Sequence, residues 1–331
     1  MTAFLGGGRP LVLLVALAAT GCGSAARSSP VRSGHDPLRP AARAAPRAVA
    51  LRVARTRSLP DPVQLPGVGR AGSETLAVAG LSAADVSVAD VVRLSPGSPR
   101  RVGALPRPVH DVATATLAGR LYVFGGGSAA GPTDAITRVA AGGRVSAAGR
   151  LPVALSDATA VALGGTAYVI GGYTTTTPLR SVLAFRPGRA PREVARLPHP
   201  LRYAAAAVAD GRILVAGGTD GTTARDEVLT VDPVRHRARV VGRLPMRLAH
   251  AAGAALGGTF YVLGGRGDAL DGQRAAIWAV DPRTGRVRRA GRLPLALSDL
   301  GAAAVGGRVL VAGGRDARGV VHRELLELVP R

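Results

Sequence analysis

The sequence has no lysine, no asparagine and a single cysteine, Cys22, in 331 residues. One cysteine leaves no intrachain disulfide to staple the fold and no cysteine cluster for a metal. Aromatic residues make up only 3% of the chain. They do not interleave with basic residues, so the stacking surfaces of nucleic-acid binders are missing and nucleic acid is not an expected partner. Long apolar runs are absent as well. The longest, Leu11–Ala19, falls short of the roughly 20 residues that a membrane-spanning helix needs. No Gly-x-Ser-x-Gly elbow, phosphate loop or carboxylate pair of defined spacing occurs. The six histidines (35, 110, 199, 236, 250 and 322) show no close ligand spacing, so neither a metal nor another cofactor is expected.

Charge of one sign is abundant. All 43 basic residues are arginine against 21 acidic ones, for a net charge of +22. The first 46 residues hold five arginines and one aspartate, so most of the excess lies beyond them. Lysine and asparagine both use A-rich codons, and GC-rich coding accounts for much of the arginine. An excess of this size still favours contact with anionic surfaces such as phospholipid headgroups or acidic wall polymers.

The N-terminal segment reads as a targeting signal. Arg9 is a thin positive flank, Leu11–Ala19 the apolar stretch, and Ala19-Thr20-Gly21-Cys22 resembles a bacterial lipobox. Residues 1–21 are therefore expected to be a lipoprotein signal peptide and Cys22 the lipidated first residue of the mature chain. Acyl chains there would hold the protein on the outer side of the cell membrane. Residues 22–46, rich in Ser, Pro, Arg and Ala without periodicity, read as a disordered tether.

From residue 47 to 331 the chain repeats itself. Leu-Pro pairs recur with prolines at 60, 106, 152, 198, 245 and 294, and nineteen residues after each comes a small pair. Those pairs are Ala79-Gly80, Gly125-Gly126, Gly171-Gly172, Gly217-Gly218, Gly264-Gly265 and Gly313-Gly314. Ahead of each lies a β-branched or aromatic run such as Ala167–Ile170, which suits a strand buried on both faces. Further upstream are segments rich in alanine and glycine. Ala204–Ala207 alone would favour a helix. Its shortness, between a proline-containing approach and an Asp-Gly turn, makes it a strand instead. Small side chains are what the crowded innermost strands of a radial array require.

A period in the mid-forties with four strands per unit matches a propeller blade, and six units are present. After Pro294 there is room for only three strands. Arg52-Val53-Ala54-Arg55 aligns with Arg286-Val287-Arg288-Arg289, so the N-terminal strand is expected to complete the last blade as its outer strand.

Tyr168-Val169-Ile170-Gly171-Gly172 and its counterparts, with Val231-Asp232-Pro233 and Val280-Asp281-Pro282, resemble the kelch-repeat family. The resemblance covers roughly residues 47–331 and implies an all-β, six-bladed kelch-type propeller closed by the N-terminal strand. It also points to two loop positions on one face. The first holds Gln64-Leu65, His110-Asp111, Ser156-Asp157, Arg202-Tyr203, Ala249-His250 and Ser298-Asp299; the second holds Leu81, Gly127, Tyr173, Thr219, Arg266 and Arg315. Asp and Ser at such places also serve as turn caps, whereas His110, Arg202, Tyr203, His250 and Arg266 are not turn formers.

The expected ligand-binding set is His110, Asp111, Asp157, Tyr173, Arg202, Tyr203, His250, Arg266 and Asp299. Donors and acceptors in one ring suit a polar ligand, a glycan or a peptide, or a protein of the cell envelope. The expectation is thus a monomeric, membrane-tethered binding module at the cell envelope, with no catalytic residue assigned. The alternative that the resemblance implies is a sugar mutarotase of the kind that acts on sialic acid, with His110 or His250 as base and Asp157 or Asp299 opposite. A copper radical oxidase of the related type needs a cysteine-crosslinked tyrosine, and Cys22 is not placed to supply one. A purely structural scaffold is the third possibility. Arg266-Gly267-Asp268 spells an adhesion tripeptide, a chance match in a glycine-rich loop.

Overall fold

The computed structural model describes residues 49–331; the expected signal peptide, Cys22 and the expected tether lie outside the described residues. Short runs of small and β-branched residues between glycine turns form 24 strands, sorted into six antiparallel four-stranded sheets. In the first five sheets the chain runs from the innermost strand outwards. The third blade, for example, is Thr159–Leu163, Thr166–Ile170, Ser181–Phe185 and Arg192–Arg196. The alanine-rich stretch at 204 is a strand, Ala205–Ala209, paired along its whole length with Arg212–Ala216. Local helix preference loses because one hydrogen-bonded neighbour and two packed blades leave no room for a helix.

Innermost strands of successive blades touch all the way round, the first against the sixth included, so the sheets form a six-bladed β-propeller. Six apolar clusters fill the six junctions between neighbouring blades. Tyr122, Phe124 and Phe185 pack between the second and third blades, with Phe124 and Phe185 edge-on at a centroid distance of 5.3 Å.

Closure follows the expected route. Leu51–Ser58 pairs antiparallel with Glu324–Pro330 and is the outer strand of the last blade. Leu51 is buried in the cluster between the fifth and sixth blades, and the Tyr261 hydroxyl donates to the Val49 carbonyl at 2.8 Å. The strand that would otherwise leave an unpaired edge is covered, which blocks edge-to-edge association.

The diglycines have a geometric cause. Gly171 adopts φ +63, and a Cβ there would lie 2.1 Å from the Leu201 carbonyl oxygen. Gly172 N–H donates to that same oxygen at 2.8 Å. The loop leading to the next blade crosses directly over the end of the second strand, and only a residue without a side chain lets it do so. In the first blade Ala79 takes the same left-handed conformation, φ +61, with Gly80 donating to the Val109 carbonyl.

Candidate functional site

The loops that cross the diglycines end in the paired positions singled out above. The first residue of each pair forms an isolated antiparallel bridge with the residue after the small pair: Gln64 with Leu81, His110 with Gly127, Ser156 with Tyr173, Arg202 with Thr219, Ala249 with Arg266, Ser298 with Arg315. The two loop positions are therefore adjacent in every blade.

The second residue of each pair carries an unusual backbone. Leu65, Asp111, Asp157, Tyr203, His250 and Asp299 all lie between φ +54 and +61, a region that costs a residue with a Cβ about 1–2 kcal/mol. Their peptide groups link from blade to blade. Asp157 N–H donates to the Asp111 carbonyl, Tyr203 to Asp157, His250 to Tyr203, Asp299 to His250 and Leu65 to Asp299, at 2.6 to 3.1 Å. A collar of backbone hydrogen bonds thus surrounds the axis at the mouth. Six left-handed residues at one place are the kind of local strain that accompanies function.

The collar holds the side chains close together. Arg202 forms an ion pair with Asp157 and donates to the Tyr203 hydroxyl at 3.3 Å. That hydroxyl in turn donates to Asp111 Oδ2 at 3.3 Å. The Arg202 guanidinium lies 4.1 Å over the Tyr173 ring, a cation–π contact. Tyr203 stacks on His250 with centroids 3.8 Å apart. His250 Nδ1 meets Asp299 Oδ1 at 2.5 Å, and its Nε2 faces Arg266 Nη2 at 2.9 Å. A guanidinium can only donate, so Nε2 accepts and Nδ1 carries the proton. Asp299 is also bonded by Ser298 Oγ at 2.5 Å, and Gln273 Nε2 approaches that hydroxyl at 3.3 Å.

The carboxylates respond in opposite directions. Burial pushes Asp111 well above the ordinary aspartate range, and the neighbouring Asp157 and Asp299 add to the rise. Burial would raise Asp299 too, but the hydrogen bond from His250, with that from Ser298 and the charge of Arg266, outweighs it and holds Asp299 below the ordinary range. Burial and Asp111 push the Tyr203 phenol up, so it remains a donor. His110 is lowered, mainly by burial against the opposing pull of Asp157; its Nδ1 bonds Ser87 Oγ at 2.9 Å.

Of the nine expected residues, Asp111, Asp157, Tyr173, Arg202 and Tyr203 form one contact network. His250, Asp299 and Arg266 form a second, joined to the first by the Tyr203–His250 stack. His110 stands at the edge, 3.7 Å from Asp111 Oδ2. Asp299 is not opposite His250 but bonded to it, because adjacent blades place the two collar positions side by side. Ser87, Gln273 and Asp85, which accepts from Gln64 Nε2 at 2.8 Å, were not foreseen. They sit further along the same loops at variable spacing, where no sequence signal marks them. Arg202, Tyr203, His250 and Arg266 share a cleft of about 360 Å³ with Thr219 and Asp268. That is the size of a small-molecule site. Among the described residues no group of three His, Cys, Asp or Glu is gathered as a metal centre.

Residues 154–188, most of the third blade, match the Kelch motif model. No curated protein matches the chain. A solved structure titled "Structure of YjhT" superposes with a TM-score of 0.70 over 83% of this chain and 97% of that one, at 14% identity. At that identity the likeness concerns the fold. The motif in one blade and six four-stranded blades around one axis together support a kelch-repeat β-propeller.

Proposed function

We propose that the protein is a binding module for a small polar ligand of the glycan type, taken up at the mouth and presented at the cell envelope by a lipid anchor on Cys22. One observation carries the reading: Arg202, Tyr203, His250 and Arg266 converge on a single cleft, with stacked rings beside two guanidinium groups. Flat rings pack against the apolar face of a sugar, while guanidinium donors meet its hydroxyl or carboxyl oxygens. The buried second layer of Asp157, Asp299 and Ser298 fixes those side chains before the ligand arrives, which lowers the ordering cost of binding. The test is a glycan and envelope-component screen with the purified chain, followed by R202A and H250A. Loss of tenfold or more in affinity in both variants supports the mouth as the site. Full affinity in both removes it.

A second reading, mutarotation of a sugar, is favoured by Asp111. A carboxyl group that burial pushes well above the ordinary aspartate range, beside the Asp157–Arg202 ion pair, offers a proton donor and an acceptor within one network. It predicts faster anomer exchange in NMR exchange spectra, abolished by D111N; unchanged exchange for every bound sugar rejects it.

A further inference from the structure

We infer that the cleft between the third and fourth blades, on the face opposite the mouth, is a binding site for a phosphate-bearing ligand. The chain reaches that face at the turns between first and second strands and between third and fourth strands, whereas the mouth is built from the other two sets of loops. The cleft holds about 580 Å³ and is lined by Arg186, Arg189 and Arg192 of the third blade's outer hairpin, by Thr166 and Tyr168 on its second strand, and by His236 from the fourth blade. No aspartate or glutamate lines it.

Three guanidinium groups around one hollow repel each other unless an anion joins them. Some arginines elsewhere on the propeller meet carboxylates, as Arg196 does with Glu193, Arg235 with Asp232 and Arg243 with Asp226. Among the described residues Arg189 and Arg192 show no such partner. Arg186 spends only its Nε, donated to Thr166 Oγ1 at 2.8 Å, which anchors the guanidinium and leaves both Nη groups for a ligand. Guanidinium forks match the paired oxygens of phosphate.

The backbone at His236 adds an independent observation. In the fifth blade the corresponding turn, Asp281-Pro282-Arg283-Thr284-Gly285, ends in a glycine at φ +70 that presses on the fourth blade, where a Cβ would sit 2.0 Å from the Val241 carbonyl oxygen. The fourth blade's turn puts His236 in that place at φ +54. The close contact that seals the next junction is thereby replaced by an open cleft with an imidazole at its side. His236 Nδ1 donates to the Val194 carbonyl at 2.7 Å, which leaves Nε2 to accept from a P–OH group of the ligand.

The experiment uses inorganic pyrophosphate as probe and the full chain, with calorimetric titration and thermal unfolding for each protein. R189Q/R192Q removes two cleft charges; R196Q/R243Q removes the same number from carboxylate-paired positions outside it. A tenfold or greater loss of pyrophosphate affinity in R189Q/R192Q, with less than twofold in R196Q/R243Q and unchanged unfolding of both, supports the site. Equal losses, or no saturable binding by the unaltered chain, overturn it. Phosphatidylglycerol vesicles separate the two sources of phosphate. Vesicle binding lost in R189Q/R192Q alone assigns a lipid headgroup, and vesicle binding retained while pyrophosphate affinity falls assigns a soluble phosphate compound.

Discussion

Two aspartates of the collar should respond to the same substitution with opposite sign. Asp111 has a carboxyl group that is almost wholly buried, receives one long hydrogen bond from Tyr203 and lies among other carboxylates. Its folded-state value is raised above the ordinary 3.8. The native state therefore binds a proton that the unfolded chain releases, and stability from this group is present below 3.8 and lost as pH rises through the folded value. D111N keeps the shape and an acceptor for the Tyr203 hydroxyl but has no charge to bury. At pH 7 it should stabilise the fold by about 1–3 kcal/mol, the cost of a poorly satisfied buried polar group, or roughly 2–4 °C per kcal/mol in a domain of this scale. At pH 3 the gain should vanish. Asp299 is held below 3.8 by His250 and Ser298, so its stabilisation is present above 3.8 and lost as pH falls. D299N should then cost about 1.5–3 kcal/mol at pH 7, the worth of a hydrogen bond to a charged group, and little at low pH. Differential scanning fluorimetry from pH 3 to 8 reads both, since other titrations cancel in the difference from wild type. A lower Tm for D111N at pH 7, or parallel pH profiles for the two variants, would refute the assignment.

Two predictions concern the frame. G171A places a Cβ 2.1 Å from a carbonyl oxygen at φ +63, so it should lower stability by at least about 2 kcal/mol, whereas A79G relieves the same conformation in the first blade and should leave stability equal or higher; chemical denaturation checks both. L51A removes a fully buried side chain from the closing strand and should cost about 2–5 kcal/mol, with a shift towards larger species in size-exclusion chromatography as the outer edge frays; a monodisperse monomer of unchanged stability would show that closure does not depend on that strand's packing.

The blades were legible in the sequence because their punctuation is physical. A proline and a diglycine nineteen residues apart mark a loop that must cross a strand end, and the crossing recurs in five blades with glycine at the contact. The closing strand was legible from a missing fourth strand and a matching arginine-rich segment at the other terminus. Neighbour relations in the mouth were not. His250 and Asp299 are 49 residues apart, and nothing local in either segment says that their side chains meet. Ser87 and Gln273 enter from loops whose lengths differ between blades. The arginine cleft was equally hidden, since its residues look like the rest of an arginine-rich chain until the lining shows no carboxylate among them.

The collar explains how one frame can carry so uneven a set of side chains. Its backbone groups satisfy each other from blade to blade, with five of the six links formed by peptide N–H and carbonyl groups alone. No side chain is needed for those links, so the collar position is free to be Leu, Asp, Tyr or His at the same φ. The outcome is a mouth with a direction. Acidic groups come from the second, third and sixth blades, while Arg202, Tyr203, His250 and Arg266 come from the fourth and fifth. A ligand that approaches the cleft between the fourth and fifth blades meets Arg202, Tyr203, His250 and Arg266, which line it. The carboxylates stand behind them, where they hold the arginines and the imidazole in place. Specificity should therefore change with residues of those two blades, and stability with the carboxylates behind them.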